Sequence, residues 1–152
     1  MLKEQLRTDL TAAIKAGDQE SVGTIRMALA AITKAEVAGK SARVLSDDEV
    51  TAVLSGEVKR RKEAALAYDD AGRPELATKE LAEADVLARY LPEPLTPAQV
   101  QDLVTAAVAA ATDSGLVGGR AMGAVMKELK PATSGRFDGA ELAAMVKQSL
   151  GI

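Results

Sequence analysis

The chain has 152 residues, a net charge of −3 and no cysteine or histidine. Those absences exclude disulfides, thiolate and imidazole catalysis, and the usual zinc and haem ligands. The slightly acidic charge excludes a chain-wide electrostatic attraction to nucleic acid, and a composition rich in Ala, Leu and Val but poor in aromatic residues favours packed helices over a β-sandwich.

Apolar residues at helical spacing predict four helices in the N-terminal part of the chain. The predicted helices cover about residues 2–16, 18–39, 46–71 and 74–91. The third begins with a capping box, in which Ser46 is the N-cap and Glu49 occupies the third helical position. Gly72 and Pro74 divide the third helix from the fourth, because glycine suits a helix end and proline suits a first turn. We therefore expect a long helical hairpin here.

The stretch "LPEPL", residues 91–95, marks the clearest boundary of the chain. Its two prolines end a helix and hold the backbone extended. Three shorter helices are predicted after it, and Pro131 is expected to end the middle one. The predicted fold is all-α: a four-helix N-terminal domain over 1–92, a proline-rich connector over 93–95, and a compact three-helix C-terminal domain over 96–152.

Charged residues fall on the predicted inner faces of the hairpin. At about 100° per residue, Arg61 lies at the centre of the apolar face of the third helix, with Glu57 one turn before it. Folding the hairpin at Gly72 brings Arg61 within reach of Glu80 and Glu83. We predict that these four charged residues form a structural ion-pair network, because one guanidinium can serve two carboxylates. A catalytic carboxylate pair and a ligand or RNA contact are the alternative interpretations.

Three stretches of the sequence resemble the YqeY family. The central one is "VKRRKEAALAYDDAGRPELATKELAEADVLARYLPEPLT", with a basic run, a long helix, a Gly-Arg turn, an acidic helix and Tyr-Leu-Pro. The others are "LRTDLTAAIKAGDQESVGTIRMALAAITKAEV" and "MGAVMKELKPATSGRFDGAELAAMVKQSL". Phe137 departs from the family pattern, in which a small residue commonly precedes Asp-Gly. The resemblance therefore extends over essentially the whole chain.

The resemblance implies a function connected with tRNA-dependent amidation. The C-terminal part is similar to the tail domain of GatB, a component of the glutamyl/aspartyl-tRNA amidotransferase. That tail contacts tRNA, whereas catalysis lies in other domains and components of the enzyme. On this similarity, family members are described as carbon–nitrogen ligases with glutamine as amido donor. The resemblance leads us to expect a YqeY-like accessory protein that binds tRNA and has no catalytic centre of its own.

The sequence carries no motif for independent catalysis. An amidase-type Ser-Ser-Lys arrangement is absent, and "GLVGGR" lacks the spacing, the Lys and the Ser/Thr of a phosphate loop. We expect no cofactor and no metal. The charged N-terminal residues and the lack of a long apolar run predict a cytoplasmic protein that makes no membrane contact. A stand-alone amidase or amidotransferase is the least favoured function.

The candidate RNA contacts lie around the glycine-rich turns of the C-terminal part. They are four cations and one aromatic residue: Arg120, Lys127, Lys130, Arg136 and Phe137. Glycine lets a backbone approach phosphate, and the helix starts after "GG" and "DG" offer free N–H groups. Phe137 is interpreted either as a base-stacking aromatic or as a core residue. The alternative function is a protein-interaction or dimerisation module without RNA binding. In it, the exposed part of "VTAAVAAAT" with Met122 and Met126 forms a groove for a partner helix, although core packing within the C-terminal domain is the favoured interpretation of these residues.

Overall fold

The computed structural model describes residues 1–152 and contains helices but no strands. The helices are α1 (Leu2–Ala16), α2 (Gln19–Glu36), α3 (Asp47–Asp70), α4 (Pro74–Ala88), α5 (Pro97–Asp113), α6 (Gly118–Thr133) and α7 (Gly139–Leu150). Backbone contacts divide the chain into unit 1, Met1–Leu91, and unit 2, Pro92–Ile152. Unit 1 contains the first four helices and unit 2 the last three. The predicted all-α fold class is confirmed.

Local signals in the sequence set the helix starts of unit 1. The Asp18 side chain caps α2 by accepting a hydrogen bond from the Ser21 amide. At the start of α3, Ser46 and Glu49 form the predicted capping box, in which each side chain accepts from the other residue's backbone N–H. Gly72 has a φ of +72° between α3 and α4, a conformation that glycine adopts without steric cost. This turn closes the hairpin.

The core of unit 1 lies where α2 packs against both α3 and α4, and α1 packs against α2 and α3. α3 and α4 pack against each other along the hairpin. Several of the buried residues are alanines, and their small side chains let the helix backbones approach closely. The buried apolar residues include Leu6, Ile25, Ala28, Ile32, Val50, Leu54, Ala84 and Leu87. The hairpin is thus held on one side by α2.

Unit 2 is a bundle in which α5, α6 and α7 each contact the other two. Thr96 and Gln99 form a capping box at the start of α5, as "TPAQ" indicates. The buried core is Val100, Val104, Ala107, Ala111, Val125, Leu129, Leu142 and Val146. Leu95 packs against this core, and its amide donates to the Arg136 carbonyl at 2.8 Å. Residues 93–95 therefore lie within unit 2.

Three predicted helix ends were wrong. α2 ends at Glu36 rather than near Gly39. α4 ends at Ala88 rather than at Leu91, because the amides of Tyr90 and Leu91 bond three residues back and tighten the chain into a turn. α6 continues through Pro131 to Thr133. A proline in the last turn removes one backbone donor but leaves the following residues free to complete the helix. The Ser134 amide still reaches a carbonyl four residues back, at 3.0 Å.

Candidate nucleic-acid interface

Three of the predicted RNA contacts lie on one face of α6. Arg120 and Lys127 are seven residues apart, and Lys130 follows three residues later, so the three side chains fall within an arc of about 80° around the helix. All three are exposed. None donates to a carboxylate or to a backbone carbonyl of the chain, unlike most arginines of unit 1. We call Arg120, Lys127 and Lys130 the basic face.

The first turn of α6 leaves its backbone donors uncapped by any side chain. Val117 is the N-cap and makes no side-chain hydrogen bond to the helix. The first turn reads Gly118-Gly119-Arg120, so no Cβ shields the first two peptide groups. Free N–H groups at a helix start carry a partial positive charge and accept anions. The basic face therefore begins beside backbone N–H groups that, like its side chains, carry positive charge.

The helix start after "DG" is different from this one. The Asp138 carboxylate caps α7 by accepting from the Glu141 amide at 2.9 Å. A negative side chain already occupies the place that an anion would take. The expectation that both glycine-rich helix starts offer free donors was therefore wrong for α7.

Arg136 differs from the residues of the basic face because its guanidinium is hydrogen-bonded within the chain. Its Nε donates to the Glu93 carbonyl at 2.9 Å, and its Nη1 donates to the Ala132 carbonyl at 3.3 Å. Its own carbonyl accepts from the Leu95 amide. Arg136 therefore joins the proline-rich segment to the end of α6, and two of its guanidinium nitrogens are occupied within unit 2.

Phe137 and the methionines pack on the core of unit 2. Phe137 is half-buried against the cluster formed by α5, α6 and α7, and Met122 and Met126 are half-buried against the same cluster. Of the two interpretations of Phe137, the structure therefore places the ring on the core. Met122 and Met126 therefore contribute to the packing of the unit's own core, which is the favoured of their two interpretations.

The predicted ion-pair residues of the hairpin surround a buried guanidinium. Arg61 is 4% exposed, and its Nη1 donates to Glu57 Oε2 at 2.8 Å. Its Nε lies 3.3 Å from Glu83 Oε2, a contact between charges that lacks the alignment of a hydrogen bond. Glu80 is half-buried one turn before Glu83 but makes no ion pair with Arg61. The structure thus brings together three of the four residues.

Met27 is a neighbour of Arg61 that the sequence analysis missed. The Nη2 of Arg61 points to Met27 Sδ at 3.8 Å. Met27 itself is 58% exposed on α2, so its periodicity gave no sign of an inward contact. A signal would have required knowing that α2 packs over the α3–α4 hairpin.

The protonation of Glu57 supports a structural role for the cluster. Burial raises the pKa of the Glu57 carboxyl, but hydrogen bonds from Arg61 and Arg60 outweigh this effect and hold the pKa below its usual range. A carboxyl group that remains ionised cannot act as a general acid near neutral pH. The paired carboxylates therefore fit an internal support of the hairpin better than a catalytic pair.

The chain shows no sign of a metal centre or a membrane span. No three acidic side chains lie where they could share a metal ion. None of the seven helices combines the length and the apolar character that a membrane crossing requires.

The chain matches a known protein family over nearly its whole length. The family described as Yqey-like protein matches residues 3–150, nearly the whole chain. No curated protein matches the sequence.

Proposed function

Because the chain belongs to the YqeY family, we propose that it is an accessory protein that binds tRNA through the basic face of α6. The single observation that carries the proposal is the position of Arg120, Lys127 and Lys130: exposed, on one face, and without a partner in the chain. When unpaired cations of a protein neutralise phosphates, the counterions condensed on the nucleic acid are released. This release is the main source of affinity for a nucleic-acid backbone.

The chemistry of this face limits what it recognises. It has no exposed aromatic side chain for base stacking, since Phe137 packs on the core, and its cations suit phosphate oxygens rather than base edges. We therefore propose contacts to the sugar–phosphate backbone of folded RNA, with little sequence preference. The proposed relation to the tail domain of the tRNA-dependent amidotransferase rests on family resemblance, as does the carbon–nitrogen ligase description. An accessory role without its own catalytic centre belongs to the same proposal.

A filter-binding titration with unfractionated tRNA at two salt concentrations tests the proposal. Three phosphate contacts predict that affinity falls roughly 40-fold between about 50 and 200 mM monovalent salt. The variant with Arg120, Lys127 and Lys130 all changed to Ala should lose the salt-dependent binding. A matched variant with Lys15, Lys62 and Lys79 changed to Ala removes three exposed cations of unit 1 and should bind like the original chain.

The same samples test the other two functions that the sequence leaves open. Equal binding by both triple variants, or no binding at low salt, contradicts the tRNA proposal. A dimer or a defined complex in light scattering, together with absent RNA binding, favours the protein-interaction or dimerisation module. Steady release of ammonia from glutamine by the purified protein would instead establish a stand-alone amidase.

A further inference from the structure

Unit 1 contains a concave pocket that the proposed RNA contact does not use. Its volume is about 380 Å³, and it lies among α1, α2, the end of α4 and the turn that follows it. Much of its wall is made of small and aliphatic side chains: Ala12, Ala13, Ala16, Ile25 and Val86. This volume is at the small end of the roughly 300–1,000 Å³ found for ligand pockets. A compact ligand with a modest apolar part would fit it.

One end of the pocket presents hydrogen-bond acceptors. The Tyr90 hydroxyl donates to Asp9 Oδ2 at 2.6 Å, across 81 residues of sequence. Burial and this hydrogen bond raise the pKa of Tyr90, so the phenol keeps its proton. Since that proton is donated to Asp9, the lone pairs of the phenol oxygen and the second Asp9 oxygen remain available. Together they suit an ammonium group, which carries only donors.

The pocket is also lined by a guanidinium without a direct partner. Arg89 makes no hydrogen bond and no ion pair, although it interacts electrostatically with Asp18 and Tyr90. The Asp18 carboxylate is already occupied by the Ser21 amide at 3.1 Å and the Ser21 hydroxyl at 2.6 Å. Arg89 therefore keeps its planar set of donors, which matches a carboxylate in a bidentate arrangement.

We propose that this pocket binds a free α-amino acid with a small or aliphatic side chain. The ammonium group contacts Asp9 and the phenol oxygen of Tyr90, the carboxylate contacts Arg89, and the side chain packs on the alanine wall. A zwitterion suits the pocket because it supplies one charge of each sign to an unengaged carboxylate oxygen and an unpaired guanidinium. A simple cation would leave Arg89 without a partner, and a simple anion would be repelled by Asp9 and Asp18.

The test is an amide NMR titration of the full-length protein with L-leucine and two compounds that each lack one of its charges. Isopentylamine lacks the carboxylate and isocaproate lacks the ammonium group. We expect saturable shifts at the pocket for L-leucine and at least tenfold weaker binding for each single-charge compound. Equally tight binding of the amine or the acid contradicts the zwitterion assignment. So does the absence of saturable shifts up to about 20 mM, which exceeds the millimolar range of weak ligands.

Two variants assign the ends of the ligand. Arg89→Gln should weaken L-leucine binding at least tenfold while leaving the weak binding of isopentylamine unchanged. Asp9→Asn should weaken L-leucine while leaving isocaproate unchanged, and it retains an acceptor for the Tyr90 hydroxyl. Arg26→Gln, an exposed position on α2 outside the pocket, is the matched control and should bind like the original chain. Undiminished L-leucine binding by both pocket variants, with native-like spectra, overturns the proposal.

Discussion

Arg61 of unit 1 and the basic face of unit 2 lie in opposite environments. In unit 1, Arg61 is buried and paired with Glu57 and Glu83. In unit 2, Arg120 and Lys127 are exposed on α6 and have no partner. Removing a charge from water is so costly that a buried cation must be paired. An exposed cation carries no such requirement and remains available to an external anion. Burial therefore separates structural cations from those that can bind.

The same contrast holds between neighbours in one helix. Arg60 and Arg61 both bond to Glu57, but 66% of the Arg60 side chain is exposed, against 5% of the Arg61 side chain. Water screens the Arg60 pair and competes for it. The Arg61 pair is largely shielded from water, so loss of one member leaves a buried charge without its partner. These adjacent residues make a sensitive test of the distinction.

The largest expected effect is that of Arg61→Ala. Removal of the guanidinium leaves Glu83 without its cation and Glu57 with only the exposed Arg60, and should lower the free energy of unfolding of unit 1 by about 3–5 kcal/mol. Urea unfolding followed by amide signals of α3 and α4 measures it. The control Arg60→Ala removes a guanidinium from the same carboxylate and should cost less than about 1 kcal/mol. Similar losses for the two variants would contradict the distinction between buried and exposed cations.

Arg136→Ala should have an intermediate effect on unit 2. The variant loses two charge-assisted hydrogen bonds to backbone carbonyls, and because the site is partly exposed we expect a loss of about 1–2 kcal/mol. Hydrogen exchange of the Leu95 amide, which donates to the Arg136 carbonyl, should become faster. Binding of tRNA should change less than it does for Arg120→Ala. If the free energy of RNA binding instead fell by more than the free energy of unfolding, Arg136 would belong to the RNA interface.

Single substitutions in the basic face should change binding without changing stability. Lys127→Ala removes an exposed, unpaired charge and should alter the free energy of unfolding by less than about 0.5 kcal/mol. The plot of log affinity for tRNA against log salt concentration has a negative slope, and its magnitude should decrease by about one unit. Lys127→Arg retains the charge and should keep the slope. An unchanged slope for Lys127→Ala would remove this lysine from the proposed contact.

The smallest expected effect concerns an exposed pair in unit 1. The Arg43 guanidinium, and then the Ser46 amide, lower the pKa of Glu49 from 4.5 to about 2. A carboxyl group with a lowered pKa contributes stability that is complete above its unfolded pKa and is lost as pH falls through the folded pKa. Glu49→Gln should thus be slightly less stable than the original chain at pH 7, and the difference should vanish between about pH 4.5 and 2. Thermal melts across that range test the sign, and a difference that grows in acid would contradict it.

Much of the local structure was predictable from the sequence. Capping residues such as Ser46 and Thr96, and the glycine at position 72, act within one turn of the chain, so short motifs set the helix starts and the hairpin turn. The inward phase of Arg61 follows from the helical period in the same way. The helix end predicted at Pro131 was wrong because a proline destabilises the interior of a helix more than its last turn. The sequence did not show where the helix ends.

Tertiary structure alone decided which side chains of different helices meet. The sequence left Glu80 and Glu83 as equal partners for Arg61, and the register of the hairpin brings Arg61 to Glu83. It gave no reason to join Asp9 to Tyr90, which are 81 residues apart. Helical periodicity fixes the direction of a side chain relative to its own axis, whereas contacts between helices depend on how the axes cross and how far each helix slides. The cations of the basic face were predictable because their exposure depends only on side-chain direction within one helix. The pocket of unit 1 was not predictable because it depends on how several helices pack together.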